Sequence, residues 1–139
     1  MIQRIQSIWL IVAAVIMAIL FIMPVYQLPI GDLKINDNFL AIILTALSII
    51  LSIGTIFMYK KRKNQISMIY LNILLAIGAE AWIYKMIEDE KSKNITEGLS
   101  NGNYWIGAFL PILTLIFLFL ALKGVKKDEK LIKSLDRLR

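Results

Sequence analysis

Apolar positions gather into four long runs, and the polar positions between them are short or turn-rich. Ile5–Met23, Phe39–Tyr59, Ile66–Tyr84 and Tyr104–Leu122 each hold 19–21 residues with very few charges. At 1.5 Å per residue each is about as long as the ~30 Å hydrocarbon layer of a bilayer. The pattern predicts four membrane spans. A very short basic link, Lys60–Gln65, joins the second and third, so these should be antiparallel neighbours. The other two connections, Tyr26–Asn38 and Lys85–Asn103, are rich in Gly and Asn and read as loops. The polar stretch Lys85–Thr96 is expected to prolong the third span as a short helix. Pro111 falls inside the fourth run and should kink it. The expected fold is an all-α membrane protein: a four-transmembrane-helix antiparallel bundle over residues 1–124, followed by a basic amphipathic tail over 125–139.

Charge then orients the bundle. Twelve of the sixteen Lys and Arg residues lie at the N-terminus, in the 60–63 link or in the tail, against four in the other two loops. Short loops rich in Lys and Arg stay on the cytoplasmic side. Both termini are therefore expected on the cytoplasmic side. Tyr and Trp near the run ends, such as Trp9, Tyr26, Trp82, Tyr104 and Trp105, suit the membrane interface. Arg4 followed by an apolar run has the outline of a signal peptide. The run is longer than the usual core of about 7–15 residues and no A-x-A pattern follows, so a retained span is expected.

Composition removes several chemistries. The chain of 139 residues is 58% hydrophobic and contains neither Cys nor His. Disulfides, thiolate nucleophiles, and the commonest general base and metal ligand are all absent from it. No phosphate-binding glycine loop or nucleophile elbow occurs. No catalytic residue, cofactor or metal site is expected, and the chain is not read as an enzyme.

Three features could carry contacts. Ala41, Thr45, Ser48, Ser52 and Thr55 recur at spacings of four and three, so they share one face of the second span. Small, weakly polar residues let helix backbones approach closely in lipid, and a packing seam outweighs a water- or ion-lining face here. In the third span Asn72, Ala76, Ala79 and Glu80 share a face. A carboxylate within a membrane segment marks a possible site for a proton or cation, with Asn72 as its expected helper. These two faces are also the expected meeting place for another integral membrane protein. In the tail, Leu131, Ile132, Leu135 and Leu138 recur at helical spacing among Lys126, Lys127, Lys130, Lys133 and Arg137. Such a stripe suits a helix lying on the anionic inner leaflet, or one docked on a cytoplasmic protein. Nucleic acid is the least favoured partner, since no stacking or zinc-binding pattern accompanies the charge.

The opening Met1-Ile2-Gln3-Arg4-Ile5-Gln6-Ser7-Ile8 and the close Lys127-Asp128-Glu129-Lys130-Leu131-Ile132-Lys133-Ser134-Leu135-Asp136-Arg137-Leu138-Arg139 make a distinctive pair of ends. With four apolar runs between them, the chain resembles a domain-of-unknown-function family of small inner-membrane proteins from Bacteroidota. The resemblance covers the whole length. It implies location and fold, with no agreed activity. It also implies that the two ends meet on one side of the bundle, for instance Arg4 with Asp128 or Glu129. The expected role is a non-catalytic accessory or scaffolding subunit of a larger inner-membrane complex. The alternative is a small transporter or channel using Glu80.

Overall fold

The structure is a computed structural model describing residues 2–28, 31–59, 61–96, 98 and 102–136, with side chains described from residue 5 to residue 134 within those ranges. Four helices dominate: α1 (Ile2–Ile19), α2 (Phe39–Phe57), α3 (Arg62–Thr96) and α4 (Leu110–Asp136). Each packs against two neighbours, so the four close into a ring in the order α1, α2, α3, α4. Three helical runs, Phe39–Phe57, Arg62–Thr96 and Ile106–Ser134, are long and apolar enough to cross a membrane. The apolar part of α1 described with side chains, Ile5–Ile19, is shorter.

Local chemistry sets the helix ends. The first helix stops before the expected Met23, because Met23 precedes Pro24 and the ring of a proline disfavours helical backbone in the residue ahead of it. Its last turn tightens, with Phe21 N–H bonded to the Ala18 carbonyl and Ile22 N–H to that of Ile19. The second helix starts at Asn38, whose side-chain oxygen accepts from Leu40 N–H (3.0 Å) and Ala41 N–H (3.3 Å). The same oxygen accepts from the Trp82 indole at 3.0 Å, tying the start of α2 to α3. As the sequence suggests, α3 runs on through the polar stretch to Thr96; its 35 residues make it about 52 Å long.

Two expectations about α4 need correction. Residues 104–109 are not membrane helix in α form: Asn103–Tyr104 is a strand, and Ile106–Phe109 is a 3₁₀ turn. Pro111 consequently lies in the first turn of α4, where a missing N–H costs nothing, and it does not kink a helix interior. The tail is also not a separate surface helix. The stretch from Val125 to Asp136 continues α4 without a break, since only Gly124 there disfavours helix, and by about 1 kcal/mol.

The loops hold a feature the hydrophobic pattern did not announce. Three two-residue strands, β1 (Tyr26–Gln27), β2 (Asp32–Leu33) and β3 (Asn103–Tyr104), form an antiparallel sheet in the order β2-β1-β3. Tyr26 pairs with both Leu33 and Tyr104. Val25 N–H to the Leu33 carbonyl and Trp105 N–H to the Val25 carbonyl lengthen the ladder. The sheet gathers the C-terminus of α1 and the N-termini of α2 and α4 at one end, which makes the bundle up-and-down. Tyr26 is fully buried beneath it, and its hydroxyl donates to the Gly102 carbonyl at 2.8 Å.

A mainly apolar core that also holds buried polar side chains is wrapped in an apolar exterior. Thr45, Ser48, Ser52, Asn72 and Thr114 are all 0% exposed, whereas Phe39, Phe57 and Ile22 are 78%, 75% and 72% exposed. Exposed Ile, Leu and Phe side chains ring all four helices. The hydrophobic effect in water would drive the opposite arrangement.

The loop end also fixes one glycine. A Cβ on Gly107 would stand 2.2 Å from the Pro24 carbonyl oxygen, which is backbone and cannot swing aside. Gly107→Ala should therefore lower stability by about 1–3 kcal/mol. Gly54→Ala, where the new methyl meets nothing within 4 Å, should leave stability unchanged or raised. Thermal unfolding of both variants in one detergent measures the contrast.

Candidate functional site

The polar residues singled out from the sequence fall into three places. The first is the α2–α3 seam. All five stripe residues, Ala41, Thr45, Ser48, Ser52 and Thr55, are buried. Ser48 Oγ donates to Asn72 Oδ1 at 2.6 Å, and Asn72 Nδ2 donates to Ser52 Oγ at 2.7 Å. Thr45 and Thr55 donate to the carbonyls four residues earlier, those of Ala41 (2.8 Å) and Leu51 (2.6 Å). The packing-seam reading of this stripe is what the geometry bears. Ser48, Ser52 and Asn72 cover one another across this seam, whereas Glu80 of the same third-span face lies outside it.

The second place is the basic end, where the start of α1 meets the later turns of α4. Gln6 Nε2 of α1 donates to Asp128 Oδ2 of α4, and the Arg62 guanidinium of α3 pairs with the same oxygen at 3.3 Å. Asp128 and Gln6 are about 5% exposed. Gly124 admits the contact: a Cβ there would fall 2.8 Å from Gln6 Cγ. One carboxylate thus holds three helices. A second tie lies beside it, where buried Gln65 donates to the Thr55 carbonyl at 3.3 Å and closes the α2–α3 link. The sequence suggested that the ends meet and named Asp128, but paired it with Arg4. The structure pairs it with Gln6 and Arg62; the side chain of Arg4 lies outside the described residues, as does Arg137.

Other bases of this end lie along α4. Lys126 donates to the Tyr70 hydroxyl and sits over its ring, 5.0 Å from the centroid. Lys133 pairs with Glu129 at 2.8 Å, and that contact holds the Glu129 carboxylate below its ordinary range. Lys123, Lys126, Lys127 and Lys130 edge an open groove of about 600 Å³ floored by Phe119 and Leu122. Beyond Asp128 the buried face of α4 ends, and Leu131 and Ile132 are 46% and 41% exposed.

The third place is Glu80, on α3 toward the loop end. It does not join Asn72, whose oxygen and nitrogen are both engaged by α2 serines. Glu80 instead borders a cavity of about 270 Å³ between α3 and the entry to α4. Ile83, Tyr84 and Ile87 wall it on α3; Tyr104, Ala108 and Phe109 wall it from the other side. Glu80 Oε2 is buried and has no hydrogen-bond partner among the described residues. The lysines above it are committed elsewhere. Lys91 donates to the Tyr104 hydroxyl (2.7 Å) and to Glu88 (3.2 Å), contacts that hold its ammonium above the ordinary lysine range. Lys85 lies over the Trp82 ring at 4.9 Å. Tyr84 was open to discovery from sequence, as the residue four on from Glu80 on the same helix face. Tyr104 and Phe109 were not, since only the sheet and the 3₁₀ turn bring them there.

Among the described residues no group of three or more acids could hold a metal ion.

The basic-end clasp makes a direct forecast. Asp128→Ala removes the shared acceptor of Gln6 and Arg62, and should destabilise the protein by about 1–3 kcal/mol. The value stays below that of a fully enclosed pair because Arg62 keeps 21% side-chain exposure and can reach solvent. Equilibrium unfolding in mixed micelles of wild type, Asp128→Ala and Asp128→Asn measures it, with the Asn variant expected between the other two.

Comparison with known proteins gives one match. Neither the curated proteins nor the solved structures contain one. A model of a domain of unknown function, DUF4293, matches residues 2–138, a range that takes in both ends joined by the clasp and everything between them, and the chain belongs to that family.

Proposed function

We propose that this chain is a multi-pass protein of the bacterial inner membrane that serves as a non-catalytic accessory or scaffolding subunit of a larger membrane complex. The apolar exterior supports a lipid surround: exposed Ile, Leu and Phe face outward, while buried Ser48, Ser52 and Asn72 bond to one another and buried Thr45, Thr55 and Thr114 bond to carbonyls of their own helices. In this reading α1 is a fourth, shorter span; its 18 residues give about 27 Å, and the tightened turn after Ile19 adds to that. The basic end, with Arg62, Lys123, Lys126, Lys127, Lys130 and Lys133, then faces the cytoplasm and its anionic leaflet.

One observation carries the subunit reading. The last two turns of α4 outrun the bundle, with exposed Leu131 and Ile132 set between Lys127, Lys130 and Lys133. An apolar pair held beyond the membrane on a basic helix fits a cytoplasmic surface of a partner protein. The seam between α2 and α3, being closed, is not that surface. A tag at the carboxyl terminus should be reached only from the cytoplasmic side in spheroplasts. Mild-detergent pull-downs should recover a reproducible partner with wild type and with Glu80→Gln, and lose it with the double variant Leu131→Asp, Ile132→Asp. Recovery of nothing but free monomer or homo-oligomer from wild type would remove the proposal.

A second reading, a small transporter or channel, is favoured by the unpartnered Glu80 carboxylate in its cavity. No polar relay among the described residues links Glu80 to Asn72, so a continuous proton path has no support. In proteoliposomes, cation flux equal in wild type and Glu80→Gln would dispose of this reading.

A further inference from the structure

The Glu80 cavity has a chemistry of its own. Its single carboxylate is that of Glu80, whose Oε2 is buried without a partner among the described residues. Among the described residues none of the ion pairs includes Glu80. A charge left this way is costly, so a positive group from outside the chain would be strongly held there. The rest of the wall says which kind. Tyr84 and Phe109 bring two aromatic rings, Tyr104 brings a third that already carries the Lys91 ammonium 4.4 Å from its centroid, and Ile83, Ile87 and Ala108 are apolar. Ca²⁺ takes about six to eight oxygen ligands and Mg²⁺ about six, of which one carboxylate with two phenol hydroxyls supplies few, and Zn²⁺ favours the imidazole and thiolate ligands this chain lacks. Of those hydroxyls, Tyr104's already accepts from Lys91. Aromatic faces beside a lone carboxylate suit an organic ammonium, which sheds its weak hydration readily and is drawn to ring quadrupoles. The cavity is also open at one side, where Tyr84 and Phe109 are each 58% exposed. An apolar body attached to the cation could therefore extend outward along the apolar face of the helices.

We propose that the cavity between α3 and the entry to α4 binds a hydrophobic organic cation, a single quaternary or protonated amine carried on an apolar body, with Glu80 as its counter-charge and Tyr84 and Phe109 as its aromatic walls. This site is independent of the subunit reading. It supplies the ligand class for the transport reading without requiring that the ligand be carried.

Equilibrium binding tests it apart from flux. The full chain in maltoside micelles is titrated calorimetrically with dodecyltrimethylammonium, and with dodecanol as a neutral probe of the same tail. Wild type should bind the cation saturably at one site per chain and show no comparable site for the alcohol. Glu80→Gln should weaken the cation by at least about tenfold, whereas Glu90→Gln, which removes an acid outside the cavity, should not. Equal affinity in wild type and Glu80→Gln, or equal binding of the alcohol, overturns the proposal. Should Glu80→Gln fail to fold, Ala108→Leu is the deciding variant: it fills the cavity while leaving the carboxylate. Its loss of cation binding upholds the site, and unchanged binding overturns it. A binder whose flux in proteoliposomes is unaffected by Glu80→Gln would retain the site and lose only transport.

Discussion

The amide of Asn72 is the interaction on which the interior turns. It accepts from Ser48 and donates to Ser52, so one side chain of α3 joins two successive turns of α2. The hydroxyls on the same α2 face bond to their own helix, which leaves a seam of small residues with its polar atoms satisfied. Such a seam lets two backbones pack closely where apolar side chains have no water to escape. On the membrane reading this is the constraint that every other element obeys. A polar group inside must find its partner inside, because lipid offers none.

The two ends of the bundle meet that constraint in different ways. At the basic end a single buried carboxylate, Asp128, collects an amide from α1 and a guanidinium from α3. At the other end main-chain hydrogen bonds do the work. The three short strands satisfy the backbone of loops that otherwise have only turns, and buried Tyr26 locks the sheet to Gly102. Between the clasp and the sheet, the helix order is fixed without help from the apolar exteriors, which are nearly interchangeable.

Glu80 stands out against that background. Among the described residues the buried side-chain polar atoms without a hydrogen bond are Glu80 Oε2 and Asn94 Nδ2. Lys91 and Lys85, the lysines nearest in the chain, are spent on Tyr104, Glu88 and Trp82. An acid kept free in an aromatic pocket is an arrangement that stability alone does not require.

Hydrophobic period and the placement of breakers and charge determined the helical class, the approximate helix positions and the closely packing face of α2. These are properties of single helices, where spacing along the chain is spacing along a face. Only the tertiary structure decided that Gln6 and Arg62 meet Asp128, since the three residues stand on three different helices and only packing brings them together. Only it decided that Asn72 serves α2 while Glu80 faces α4, because one face of a helix is wide enough to serve two neighbours. The sheet was hidden for a related reason. Strands of two residues carry no periodicity of their own, and they exist because the bundle brings residues 26, 33 and 104 side by side. Where α4 begins, and that it continues unbroken to Asp136, followed from the same packing, with the strand drawing Tyr104 out of the helix and the clasp carrying the helix past Gly124.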